Sequence, residues 1–294
     1  MCEHDTAQEW EDHVKANPLS RRHFMAISAG LSLASLLEMF PVAANAADVK
    51  ESDVTIKTPD GMSDCYFVHP AQGASAAVLV WPDVLGLRPA FRAMGKRLAE
   101  NGYAVLVVNP YYRTNKSPVI PEGATFDDKT RPIVMPLLQK FLGDVPGMQS
   151  DAKTYIAWLD QQAAVDKKKK IATTGYCMGG PPVLRTAGVS DRIGAGATFH
   201  GAALVAADAN SPHLAIAMSK AGFLIAIADG DDKQDPKAKD TLKETFAKNG
   251  QKATVEVYIG CAHGWTVPDF PVYDKAGAEK AWTAMLALFK TNLA

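Results

Sequence analysis

The sequence predicts one α/β domain over residues 47–294, a doubly wound and mostly parallel sheet with helices on both faces. Three observations carry that expectation. Short, mostly apolar runs recur at the length of buried parallel strands. Helix-compatible stretches alternate with them, two of them ending in an Asn-Gly stop. One run also leads through a glycine-bracketed turn straight into a helical segment. A chain that is 47% hydrophobic and 21% charged has the material for one large core.

Residues 1–46 read as an address ahead of that domain. Ser20-Arg21-Arg22-His23-Phe24-Met25 precedes an uncharged run from Ala26 to Leu37, then Ala44-Asn45-Ala46, a small-x-small cleavage pattern. This order looks like a twin-arginine signal cut after Ala46, and it predicts a periplasmic protein delivered by the twin-arginine export machinery. Glu38 and Pro41 interrupt the apolar stretch, which falls short of the ~20 residues a span needs, so no stable membrane anchor is expected.

The domain should open with a hairpin, Val54–Lys57 and Cys65–Val68 around Pro59-Asp60-Gly61. Ala77–Trp81, Ala104–Val108, Ile171–Thr174, Ile193–Phe199, Phe223–Ala228 and Thr254–Ile259 follow as buried strands. Between them, Arg92–Glu100 stops at Asn101-Gly102 and Ala152–Ala164 places Tyr155, Ile156 and Leu159 on one face. Lys237–Lys248 stops at Asn249-Gly250, and an amphipathic Ala276–Leu293 closes the chain.

Charge and cysteine usage exclude several functions. With 31 basic and 32 acidic residues there is no field built to hold nucleic acid, so a small molecule is the expected partner. Cys2, Cys65, Cys177 and Cys261 show neither CxxC nor Cys/His ligand spacing, so neither a metal site nor a disulfide framework is expected. No GxGxxG follows a strand, which removes a dinucleotide-dependent oxidoreductase.

The chemistry concentrates where Ile171-Ala172-Thr173-Thr174 meets Gly175-Tyr176-Cys177-Met178-Gly179-Gly180. A strand, a tight turn and a helix in that order make a nucleophile elbow, with cysteine in the serine position. The helix N-terminus favours thiolate, and the backbone N–H of Met178 points toward a developing oxyanion. A thiol nucleophile needs a base and an orienting acid, expected in the chain order nucleophile, acid, histidine. Asp229-Gly230-Asp231-Asp232-Lys233-Gln234-Asp235-Pro236 follows one later strand, and Cys261-Ala262-His263-Gly264-Trp265 follows the next, making His263 the base. Cys261, two residues before His263, is expected near the site. His200 also ends a strand but precedes the acid segment, so a satisfied polar role is expected of it.

These residues resemble the dienelactone hydrolase family of α/β-hydrolases across most of residues 47–294. The resemblance rests on Gly-Tyr-Cys-Met-Gly-Gly, on Trp81-Pro82-Asp83-Val84-Leu85-Gly86-Leu87, on Leu98-Ala99-Glu100-Asn101-Gly102-Tyr103 and on Ala262-His263-Gly264-Trp265. It implies the α/β-hydrolase fold, a Cys-Asp-His triad, no cofactor, and hydrolysis of enol-lactones or related esters through an acyl-enzyme. The family's acid lies four residues before a proline, which maps onto Asp232, with Asp231 as substitute. Val84 becomes the second oxyanion donor. Asp83 stands where the family has a glutamate that pairs with the resting thiol, and Arg113 resembles an arginine that clasps a substrate carboxylate. A second family arginine beyond the histidine is absent, because Thr266-Val267-Pro268-Asp269 follows Trp265.

The expected function is therefore a carboxylic-ester or lactone hydrolase. Acyl or thioester transfer on the same triad and a non-catalytic ligand-binding scaffold are the competing readings.

Overall fold

The computed structural model describes residues 10, 12, 15, 33–41 and 46–294. Arg21, Arg22, Ala44 and Asn45, on which the export reading rests, lie outside them. Helix α1 (Leu33–Glu38) precedes the domain; its Leu36 and the following Phe40 are buried. Phe40 lies under the guanidinium of Arg97, 4.8 Å from its ring centre. Among the described residues no helix is long and apolar enough to cross a membrane.

Strands β1 (Val49–Thr58) and β2 (Gly61–Pro70) form the expected hairpin, longer at both ends than the sequence indicated. Strands β3 (Ala77–Trp81), β4 (Ala104–Val108), β5 (Ile171–Tyr176), β6 (Ile193–Phe199), β7 (Gly222–Ala228) and β8 (Ala253–Tyr258) follow. They complete an eight-stranded sheet in the order β1-β2-β4-β3-β5-β6-β7-β8. Pairing is antiparallel from β1 to β4 and parallel from β4 through β8. Every residue of β3, β4 and β5 is buried, which is why these segments read as continuous apolar runs rather than alternating ones.

Winding reverses at β3. The crossover through α2 (Pro89–Glu100) leads to β4 on one side, whereas β5 pairs with the other. Loops after β3 and β5 therefore leave in opposite directions and open a crevice at their carboxyl ends, where α/β sheets bind ligands. The register aligns Trp81 with Gly175, so the residues following each strand face one another across that crevice.

Helices α4 (Val145–Leu159), α7 (Ala238–Lys248) and α8 (Lys275–Asn292) correspond to the expected ones, with α4 starting seven residues earlier than Ala152. Asp144 explains the earlier start, because its carboxylate accepts from Gly147 N–H at 2.9 Å and caps α4. Helix α3 (Arg131–Gly143) has no counterpart in the sequence reading; Pro132 suits its first turn, and although Pro136 inside it argues against a helix locally, Val134, Leu138 and Phe141 bury its inner face. Helix α5 (Gly180–Val189) follows the elbow. A short helix α6 (Asp229–Gln234) replaces the loop expected after β7.

Candidate active site

Cys177 sits where β5 ends, at a φ of 53° that side-chain-bearing residues rarely adopt. The glycines around it permit the turn. A Cβ at Gly175 would strike the Gly179 carbonyl, and one at Gly179 would strike the Trp81 carbonyl on β3. Strand, turn and neighbouring strand are thus in backbone contact under the thiol.

The loop after β6 holds this turn from the other side. Cys177 N–H donates to His200 Nδ1 at 3.1 Å, and Ala202 N–H donates to the Cys177 carbonyl at 3.1 Å. His200 itself has a φ of 41°, so two left-handed residues brace each other. With Nδ1 accepting, the His200 proton lies on Nε2, which donates to Thr266 Oγ1 at 2.9 Å. Burial holds its pKa well below the usual imidazole value, and the adjacent His263 adds to the effect. His200 is a fully satisfied neutral imidazole, in keeping with its expected polar role, but it also ties the elbow to the loop that carries His263.

His263 follows β8 and is 5% exposed. Its Nδ1 faces Asp231, 3.0 Å and 2.9 Å from the two carboxylate oxygens, so Nδ1–H donates and Nε2 is left as the basic nitrogen. The expectation for Asp232 is corrected here: its oxygens take Lys239 Nζ at 2.8 Å and 2.7 Å. Helix α6 is the reason. One residue step on a helix turns about 100°, so Asp231 and Asp232 cannot face the same partner.

Cys177 and His263 line one pocket, together with Trp10, Val84, Phe126, Met135, Leu138 and Phe270. The His200 ring lies 4.9 Å from that of His263, centre to centre. Tyr111 links the two expected oxyanion donors, since its hydroxyl donates to the Val84 carbonyl at 2.8 Å and lies 3.0 Å from Met178 Sδ.

Asp83 and Arg113 are engaged otherwise than expected. Asp83 is fully buried and turns both oxygens to Arg88, at 2.6 Å and 3.0 Å. Arg88 extends the pair to Asp269, with Nε at 2.6 Å and a second nitrogen at 2.7 Å. This buried guanidinium joins the loop after β3 to the loop after His263. The carboxylate clasp expected of Arg113 is filled from within the chain, by Asp151 at 2.7 Å and Asp60 at 2.6 Å, and Arg113 does not line the Cys177 pocket. A planar fork occupied on both edges has no bidentate face left for a substrate.

Cys261 also points away. Its Sγ faces the first turn of α8, where a Cβ on Gly277 would collide with it. Burial pushes the Cys261 thiol up to about 12, and that of Cys65 likewise to about 12. Cys65, Cys177 and Cys261 are all reduced. Among the described residues no group of three or more His, Cys, Asp or Glu side chains could hold a metal ion. Sequence reasoning missed Arg88 and Trp10; Trp10 meets His263 across 253 residues, and Arg88, though close to Asp83 in sequence, is fixed by Asp269 across 181.

The profile of the dienelactone hydrolase family matches residues 63–293. A protein of Escherichia coli K12 bearing the name "Putative carboxymethylenebutenolidase" is 25% identical over 232 residues, covering 76% of this chain and 81% of its own. A protein of the same name from Methylorubrum extorquens is 24% identical over 284 residues, covering 92% and 93%. Among solved structures, a dienelactone hydrolase-like promiscuous phosphotriesterase from metagenomic libraries superposes with a TM-score of 0.69 at 21% identity, over 84% of this chain and 99% of that one. Dienelactone hydrolase from Anabaena variabilis gives a TM-score of 0.56 at 17% identity, over 84% and 99%. With an elbow, a histidine and a carboxylate at the carboxyl ends of an α/β-hydrolase sheet, and a family match over most of its length, the chain belongs to the dienelactone hydrolase family.

Proposed function

We propose that this hydrolase cleaves carboxylic esters or lactones through a Cys177-His263-Asp231 triad and an acyl-enzyme. The observation that carries the reading is the left-handed Cys177 opening on the same pocket as a histidine whose far nitrogen is held by Asp231.

His263 Nε2 takes the thiol proton as Sγ attacks the ester carbonyl carbon. The carbonyl π pair moves onto oxygen, where the backbone N–H groups of Met178 and Val84 receive the oxyanion. Asp231 keeps the Nδ1–H tautomer and stabilises the imidazolium. Collapse expels the alcohol, protonated by His263, and leaves a thioester on Cys177. Water, deprotonated by His263, then attacks that thioester, releasing the acid and restoring the thiol. With a lactone the alcohol and acid leave as one molecule.

The test is hydrolysis of 4-nitrophenyl esters and five-membered lactones by wild type, Cys177→Ala and His263→Ala. Turnover by wild type that both variants lose supports the assignment. Equal inertness of all three across the panel removes it.

The leader reading stands as a proposal beside this one: export through the twin-arginine route and cleavage after Ala46. Mapping the N-terminus of protein from the native host tests it, and residues before Ala47 in the mature form would overturn the cleavage site.

A further inference from the structure

The wall of the Cys177 pocket carries no charge of its own. Apart from Cys177 and His263, it is made by Trp10, Val84, Phe126, Met135, Leu138 and Phe270. The arginines that could have supplied a charge are occupied elsewhere, Arg88 by Asp83 and Asp269, and Arg113 by Asp60 and Asp151. A carboxylate entering this space would lose its water and find no cation.

An aromatic side chain already sits there. The Trp10 indole packs against Phe270 with centres 4.6 Å apart, and meets Phe126 edge-on at 6.1 Å. Its Nε1–H donates to the His263 carbonyl at 2.7 Å. Gly264, at a φ of 103°, makes room for the stack, because a Cβ there would run into Phe270 and approach Trp10 within 3.4 Å. Phe126, with Met135 and Leu138 of α3, closes the opposite side. The position next to the base is therefore shaped for a flat, uncharged ring.

We infer that the acyl subsite of this enzyme selects uncharged acyl groups bearing an aromatic ring, seated between Phe126 and Phe270 where Trp10 now lies, so that Trp10 competes with the substrate's ring. The inference rests on the Cys177-centred hydrolase reading and names its substrate class.

The experiment compares full-length wild type, Trp10→Ala and Cys177→Ala. Substrates are 4-nitrophenyl phenylacetate, 4-nitrophenyl acetate and the 4-nitrophenyl hemiester of succinate. Two unreactive ketones, 4-phenyl-2-butanone and the charged 4-oxopentanoate, report binding by calorimetry without turnover. Phenylacetate is expected to exceed the hemisuccinate in kcat/KM by about 100-fold, because a buried unpaired charge is rejected far more strongly than a methylene. Trp10→Ala should raise the phenylacetate-to-acetate ratio of kcat/KM about tenfold, the scale of one stacked ring. Cys177→Ala should still bind the phenyl ketone in preference to 4-oxopentanoate. Hemisuccinate turnover equal to that of phenylacetate, or a phenylacetate-to-acetate ratio unmoved by Trp10→Ala, overturns the subsite while leaving the hydrolase reading intact. Preferential phenyl-ketone binding without turnover of any ester sustains the subsite and removes the hydrolase reading. Absence of any ketone preference together with absence of turnover overturns both.

Discussion

The amide of Cys177 donates to Nδ1 of His200 at 3.1 Å, and the opposite nitrogen of the same ring bonds Thr266, three residues beyond His263. One neutral imidazole therefore spans the two loops that carry the proposed nucleophile and base. Its effect is on position, since it touches the backbone of Cys177 and the ring of His263 rather than a substrate.

Replacing that imidazole should cost both stability and rate. His200→Leu leaves the Cys177 N–H without its acceptor, a loss of about 1–3 kcal/mol in unfolding free energy. A fall in kcat exceeding any change in KM is expected, with partial recovery in His200→Gln, which restores an acceptor. Denaturant melts and ester kinetics on the three proteins check it.

The same residue sets a pH dependence. The folded pKa of His200 lies below its ordinary 6.5, so between the two values the unfolded chain binds more protons than the folded one. Stability from this group is complete above about 6.5 and declines as pH falls below it, by up to about 1.4 kcal/mol per pH unit. Unfolding free energy measured from pH 7.5 to 5 should fall more steeply for wild type than for His200→Gln.

The two neighbouring aspartates should behave differently. Asp231→Asn keeps the shape but can present an amide N–H to His263 Nδ1, favouring the wrong tautomer, and kcat should drop by about 10³–10⁴. Asp232→Asn loses only the contact with Lys239 and should leave kcat within a few-fold. Steady-state kinetics on one ester decide between them.

Arg88 should prove a structural hub. Arg88→Met strands two carboxylates, one fully buried, and should lower stability by about 3–5 kcal/mol. Adding Asp83→Asn and Asp269→Asn to that variant should recover much of the loss, read as the denaturation midpoint of each protein.

How much of this was legible in the sequence follows from range. The elbow was readable because its signal is local: Gly175 and Gly179 bracket Cys177 within five residues, and the backbone contacts they allow are dictated by the missing Cβ atoms. The central strands β3, β4 and β5 were readable because burial on both faces leaves unbroken apolar runs, whereas edge strand β8 is mostly half-buried or exposed. Asp231 was not separable from Asp232, because the choice depends on the phase of a short helix that spacing to Pro236 does not report. Asp83 and Arg113 kept their positions but not their expected tasks: Asp83 is taken by Arg88 five residues on, a pairing that the distant Asp269 completes across 181 residues, and Arg113 is taken by Asp151, 38 residues away. Trp10 was read only as part of a leader, and its bond to His263 spans 253 residues.

Intact-protein mass spectrometry during turnover of a 4-nitrophenyl ester tests the Cys177 mechanism most directly. The expected result is an adduct equal to the acyl group, mapped to Cys177, formed by wild type and absent from Cys177→Ala. Rapid nitrophenol release without an acyl adduct on Cys177, or undiminished turnover by Cys177→Ala, would contradict it.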